Sequence, residues 1–321
     1  MGAFNSFTKA NAAIQLLNAV ENGDLKGVKK CLESVNADIN CLVKHDDGWE
    51  VTPLMTASSV TIIVKLEALT PLIKTFRGIH DHVEILRYLA ERGAELDKAN
   101  DIGRTAVFLA ALNGHVARVE CLLLYGADKN KPDNKGTTPF CAAAFFGYLQ
   151  VVQCLLLSGA DIDKADNYGA SPLLLAAAVG HLAVVRLLLQ HGAEKNKAAN
   201  DGDTPLYVAA LAGHLPVIQY LVEEQEVDVE KATTVADGRY TPLHAAIEKG
   251  HIDVAVYLME HGMADLNAMT TADQRPMDLA RGNNAMVQAI INEEQRRRDL
   301  GLKRTASKST VQTRSSKRTR R

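Results

Sequence analysis

Thr138-Pro139-Phe140-Cys141-Ala142-Ala143 is followed by Ser171-Pro172-Leu173-Leu174-Leu175-Ala176 and then by Thr204-Pro205-Leu206-Tyr207-Val208-Ala209. The spacings are 171−138 = 33 and 204−171 = 33, so one unit of 33 residues is repeated. A Thr or Ser followed by Pro predicts a helix start. The hydroxyl caps a free backbone N–H, and Pro at the first helical position gives up an N–H that has no partner there anyway. Gly147, Gly180 and Gly213 end this helix after about two turns. A second apolar helix follows (Leu149 to Leu157, Leu182 to Leu189), and Gly159 and Gly192 close it in the left-handed conformation. Helices well under ~12 residues are marginal alone, so each pair must bury its apolar faces against neighbouring pairs.

A chain of 321 residues would ordinarily suggest two domains, but stacked repeats share one continuous core. Hydrophobic residues make up 47% and aromatic residues only 5%, which gives that core to Leu, Ala and Val. The five cysteines, at 31, 41, 121, 141 and 154, form no CxxC pair and mostly occupy helix positions where other repeats carry Leu, Ala or Val. They read as reduced core thiols. No signal peptide is visible, and the longest apolar stretch, Val60 to Ile73, is interrupted by Lys65 and Glu67 and too short to span a bilayer. Residues 296–321 hold eleven Lys/Arg and one acid, Asp299, a net of +10; the rest carries 25 basic and 37 acidic residues, a net of −12. An acidic body with a basic arm points to an acidic partner, nucleic acid, an anionic membrane or a transport receptor.

Residues 1–11 are polar and aperiodic and are expected to form a disordered arm, although Met1-Gly2-Ala3-Phe4-Asn5-Ser6 fits the pattern for myristoylation at Gly2. Residues 12–295 are expected to form the repeat array and residues 296–321 a basic disordered tail. The second repeat is irregular. Thr52-Pro53-Leu54-Met55 and Thr105-Ala106-Val107-Phe108 are 53 residues apart, while His82 and His115 keep the spacing of 33. An insertion of about twenty residues therefore falls at about 58–81, either as a partner-binding protrusion or as a neutral addition. A second register, with Thr70-Pro71-Leu72-Ile73 as the helix start, is also open. Val60-Thr61-Ile62-Ile63-Val64 has strand chemistry. The unit from Asn200 is stretched by four (241−204 = 37) through Glu223-Glu224-Gln225-Glu226, as a longer helix or a solvated loop. Arg275-Pro276-Met277-Asp278 opens a final degenerate repeat, closed by a helix over Asn284 to Arg298.

These residues resemble the ankyrin repeats, with their 33-residue unit and T-P-L-H-x-A signature. Thr241-Pro242-Leu243-His244-Ala245-Ala246 is the closest match. Gly213-His214, Gly250-His251, Tyr125-Gly126-Ala127-Asp128 and Ser158-Gly159-Ala160-Asp161 extend it over nearly all of residues 12–295. The resemblance implies an all-α solenoid of about eight helix-turn-helix repeats with β-hairpin turns, capped at both ends. It also implies a non-catalytic scaffold that binds a protein partner on its concave face and hairpin tips. The pairs before the inter-helix Gly then face the partner: Leu112-Asn113, Phe145-Phe146, Ala178-Val179, Leu211-Ala212 and Glu248-Lys249. Most carry large apolar side chains, and stacking aligns them into a stripe, with Phe145 and Phe146 either exposed in it or turned inward between repeats. Arg104, Lys135, Tyr168, Asp203 and Tyr240 form a mixed rim at the hairpins. Phe108, Cys141, Leu174 and Tyr207 replace the signature histidine kept by His244, which weakens the expectation of a polar ladder between repeats.

No HExxH, GxSxG, GxGxxG or GxxxxGK[ST] occurs, so an enzyme reading has no residues to name. His115, His181, His214 and His251 belong to different repeats, too far apart to share a metal, and no cofactor or metal site is expected. Lys303-Arg304, twelve residues, then Lys317-Arg318-Thr319-Arg320-Arg321 reads as a bipartite nuclear-import signal, with Ser307 as a phosphorylation candidate. The same cluster would bind nucleic acid weakly and without regard to sequence, or hold the protein at a membrane if Gly2 is acylated. A nuclear or cytoplasmic monomer, binding proteins whose identity the sequence does not give, is the expectation. The competing class is an adaptor held to nucleic acid or membrane by its tail.

Overall fold

The computed structural model describes residues 2–34, 39–40, 43–44, 50–53, 55, 72–225, 227–234, 236 and 238–301. The first pair of helices is α1 (Gly2–Glu21) and α2 (Leu25–Ser34). A two-residue antiparallel pairing, β1 (Val43–Lys44) with β2 (Glu50–Val51), follows. Then come α3 (Leu72–Glu91), α4 (Ala106–Leu112), α5 (Val116–Leu124), α6 (Pro139–Phe145) and α7 (Leu149–Leu157). The array continues with α8 (Pro172–Val179), α9 (Leu182–Gln190), α10 (Pro205–Ala212), α11 (Leu215–Gln225), α12 (Pro242–Lys249) and α13 (Ile252–Glu260). It ends with α14 (Pro276–Leu279) and α15 (Asn284–Asp299). The helices stack in two layers. First helices α4, α6, α8, α10, α12 and α14 pack each on the next, as do second helices α2, α3, α5, α7, α9, α11, α13 and α15. One buried cluster runs between the layers from Leu16 to Ile290.

Each first helix starts where the sequence places it. Thr105, Thr138, Ser171, Thr204 and Thr241 sit in extended backbone, and their hydroxyls accept the N–H three residues on at 3.1–3.4 Å. Met55 N–H donates to Thr52 Oγ1 at 3.2 Å in the same way, and Met55 is fully buried, so Thr52 begins the second repeat. The alternative register at Thr70 is thereby resolved: the helix that starts at Leu72 runs unbroken to Glu91, and its C-terminal half is the second helix of that repeat. Regular second helices start at the residue equivalent to Val83, so α3 begins about three turns early. Residues 56–71, including the strand-like Val60 to Val64, lie outside the described residues, as do Cys41 and the tail from residue 302.

Two boundaries need correction. Helix α1 begins at Gly2, not at Ala12. Nothing between Ala3 and Asn22 breaks a helix, and the turn nucleated by buried Ala12, Ala13, Leu16, Leu17 and Val20 extends backward at little cost per residue. Arg296, Arg297 and Arg298, which the sequence reading counts both in the closing helix and in the tail, belong to α15, where Arg296 and Arg297 are three and four residues beyond their ion-pair partner Glu293. Helix α11 has eleven residues against nine in α5, α7, α9 and α13, but most of the four-residue stretch in the Asn200 unit falls in the hairpin. There the Thr233 N–H donates to Tyr240 O, seven residues on, while in the preceding hairpin Ala199 N–H donates to Asp203 O, four residues on.

Second helices α5, α7 and α9 close on Gly126, Gly159 and Gly192, with φ of 92°, 78° and 89°. At the end of α13 this left-handed position falls to Met263, φ 52°, just before buried Ala264. Met263 is 51% exposed, so Met263→Gly removes little packing and relieves a conformation that costs a side chain roughly 1–2 kcal/mol. The variant is expected to be more stable by about 1 kcal/mol, read as a higher urea midpoint at unchanged slope.

Candidate functional site

Three sets of polar ties hold the repeats in register and so set the inner face. At the hairpins, Asn134, Asn167 and Asn200 each donate a backbone N–H to the preceding hairpin, at Ile102, Lys135 and Tyr168 O, all at 3.0 Å. Their Nδ2 groups reach Asp101, Asn134 and Asn167 O. In the loops between repeats, Lys131 and Lys197 Nζ donate to Asp97 and Asp163 O at 2.8 Å. At the inter-helix turns, Nε2 of His181, His214 and His251 donates to the carbonyls of Phe145, Ala178 and Leu211 at 3.0, 3.1 and 3.2 Å. A polar ladder therefore exists, at the Gly-His turn. At the signature position it is reduced. His244 Nδ1 accepts the Thr241 N–H at 3.1 Å and Nε2 meets Ala268 O at 3.2 Å, while Cys141 Sγ, at 3.2 Å from Lys164 O, provides the equivalent tie in its own repeat. Burial pushes His244 below its ordinary pKa, so the ring stays neutral and can accept the capping N–H.

The carbonyls gripped by these histidines belong to the stripe residues, which fixes the turn that carries the stripe. Phe145 and Phe146 are 41% and 46% exposed, and Val179 is 38% exposed. Both rings are thus open to solvent over part of their surface. Leu112 and Leu211, expected to be exposed, are partly buried, as are Asn113 and Ala178. Glu248 and Lys249 are exposed and pair with each other at 3.6 Å. Around the hairpins, Tyr168 stands 68% exposed and Lys135 is exposed, while Asp203 and Tyr240 are partly buried. Arg104 lies over the Phe108 ring at 5.0 Å with Nε 3.7 Å from Asp133, so it is held against the repeat. Burial, with a smaller contribution from the Asp203 and Glu248 carboxylates, raises the Tyr207 phenol to about 12, leaving it neutral.

Tyr148 is the residue the sequence reading missed. Its ring stacks on Phe146 at 6.0 Å and 18°, and Phe146 meets Phe145 edge-on at 5.1 Å, making a three-ring cluster at one turn. The signal was present, since Gly147-Tyr148 stands where the other repeats read Gly-His. A second apolar pair lies on the other layer: Leu124 and Leu157, in register at the ends of α5 and α7, are 81% and 85% exposed. Among the described residues, no three His, Cys, Asp or Glu side chains converge as a metal site, and the cysteines at 31, 121, 141 and 154 are free. Burial pushes the Cys121, Cys141 and Cys154 thiols up, as expected of unreactive packing residues. No helix among the described residues is long and apolar enough to cross a membrane. Lys303, Arg304, Ser307, Lys317, Arg318, Arg320 and Arg321 lie outside the described residues.

The stacked helix pairs, capped by Thr-Pro and tied through their hairpins, define a helical repeat protein. The ankyrin-repeat family, described as Ankyrin repeats (3 copies), matches residues 59–133, 75–166, 140–233 and 173–270. The chain belongs to this family, whose repeats generally mediate protein–protein interaction. Among solved structures, the crystal structure of the human ASB11 ankyrin repeat domain is similar, with 25% identity and a TM-score of 0.63 over 76% of this chain and 98% of that one. A search of curated proteins gave no match.

Proposed function

We propose that the protein is a non-catalytic scaffold that captures a protein partner on the concave face made by its first helices and hairpin tips. The observation that carries this reading is the exposure of Phe145 and Phe146 beside Val179, on helices that hold no charged side chain. Contact would come from Leu112, Asn113, Phe145, Phe146, Val179 and Leu211, with Glu248 and Lys249 at one end. Arg104, Lys135, Tyr168, Asp203 and Tyr240 form the rim. A surface held in place by its repeats before binding loses little entropy on association. The double variant Phe145→Ala, Phe146→Ala is expected to lose the proteins that co-purify with the full chain while melting close to the parent. If the melting point falls as it does for a core Phe→Ala change, about 3–5 kcal/mol, the rings are structural and the reading fails. The basic segment beyond residue 301 serves in this reading as an address. Replacing Lys317, Arg318, Arg320 and Arg321 by neutral residues is expected to reduce nuclear enrichment and leave partner capture intact.

A further inference from the structure

The binding-face reading above leaves the shape of the occupant open, and the chemistry of the floor narrows it. Helices α4, α6, α8 and α10 read AVFLAAL, PFCAAAF, PLLLAAAV and PLYVAALA, with no charged side chain in four successive repeats. Their only side chains able to hydrogen-bond are Cys141, buried with Sγ directed at Lys164 O, and Tyr207, half-buried. Their backbone groups are largely committed within the helices. A strand or polyproline segment laid along this floor would leave its N–H and C=O groups beside a surface that cannot pair them and that shields them in part from water. An α-helix carries those bonds internally.

Spacing points the same way. Each of these first helices packs on the next, which sets them about 8–10 Å apart. Seven residues of a helix advance about 10.5 Å and return to nearly the same face. Three residues of a strand advance about as far but end on the opposite face. We propose that the occupant is an amphipathic α-helix of a partner protein lying across α4, α6, α8 and α10. It presents uncharged apolar residues at i, i+7 and i+14 with i+3 or i+4 neighbours, and its centre rests on Phe145, Phe146 and Val179. A charge in that stripe would be desolvated without a counter-charge. The floor ends at α12, where Glu248 and Lys249 are exposed, so the partner helix is polar at the end lying over α12.

The test is selection from a display library of random peptides of about 20 residues, with the immobilised full chain and the Phe145→Ala, Phe146→Ala chain in parallel. Expected are sequences with apolar residues every three to four positions whose capture falls at least about tenfold on the double variant. As synthetic peptides they should gain helical circular dichroism on binding and lose at least about tenfold in affinity with Pro at the centre. Their affinity should change by less than about twofold between about 50 and 500 mM salt, because no charge pairs are made on the floor. Peptides that depend on Phe145 and Phe146 but tolerate Pro, gain no helix or weaken steeply with salt would overturn the helical occupant and leave the binding face standing. If no recovered peptide depends on Phe145 and Phe146, the binding face fails and the inference fails with it.

Discussion

Gly169→Ala is expected to destabilise the protein by roughly 3 kcal/mol, whereas Gly192→Ala costs about 1 kcal/mol, although both residues are left-handed, with φ of 80° and 89°. The two positions share the conformational penalty and differ in what a Cβ would meet. At Gly192 nothing lies within 4 Å. At Gly169 the added carbon would sit 2.6 Å from Asn200 Oδ1, 2.8 Å from Asn200 N and 3.1 Å from Ala199 Cα. Asn200 cannot step aside cheaply, because its N–H donates to Tyr168 O and its Nδ2 to Asn167 O. The substitution therefore pries two hairpins apart. Urea unfolding of both variants gives the comparison, and equal midpoints would show that the hairpins are not in the close contact described. Since neighbouring repeats stabilise one another, Gly169→Ala is also expected to broaden the transition by uncoupling the array at its centre.

Glu293→Gln is expected to cost about 3 kcal/mol, lost mainly from the last two repeats. Glu293 is 3% exposed and receives Arg296 through two bonds and Arg297 Nε at 2.7 Å. Arg297 in turn donates to Ala264 O at 3.0 Å and Met259 O at 2.6 Å, so one network closes the carbonyl end of α13 from α15. Burial alone would raise the Glu293 carboxyl, but the bonds and charges of the two arginines outweigh it and hold the group below its usual range. A carboxyl depressed in the folded state contributes stability that is complete above its unfolded value, about 4.3, and is lost as pH falls through the folded value. The parent should thus lose this contribution below about pH 4, and Glu293→Gln, having none, should show a flatter stability profile there. A parallel pair of pH profiles would remove Glu293 from the account of the cap. His244 acts in a higher window. Its folded value lies below an unfolded one of about 6.5, so stability is complete above that pH and falls as the medium acidifies toward the folded value.

Much of the fold was legible because the determinants are local and periodic. A Thr-Pro pair caps a helix through its own hydroxyl and ring, a left-handed Gly ends one, and a spacing of 33 obliges the units to stack. Where the signal was not local, the sequence left choices open. Polar, aperiodic residues 2–11 gave no periodicity to read, yet nothing in them opposes a helix nucleated further on. Thr52 and Thr70 look alike as caps, and only the burial of Met55 behind the first and the unbroken helix after the second distinguish them.

The candidate face divides in the same way. The repeat period placed Phe145 and Phe146 just before an inter-helix Gly, and the ankyrin resemblance implied that they belong to a partner-facing stripe. Whether such rings point out or pack between repeats depends on what fills the neighbouring turn, and there His181, bonded to the Phe145 carbonyl, occupies the space beside Gly147. Arg118 shows the converse. It stands in register with Val151, Val184, Val217 and Val254 and is only 4% exposed, and burial lowers its guanidinium to about 10. The sequence by itself determined the unit, its caps and its stacking, because these rest on bonds within a few residues. Only the tertiary structure decided which side chains face solvent, since exposure is a property of the neighbouring repeats and not of the residue.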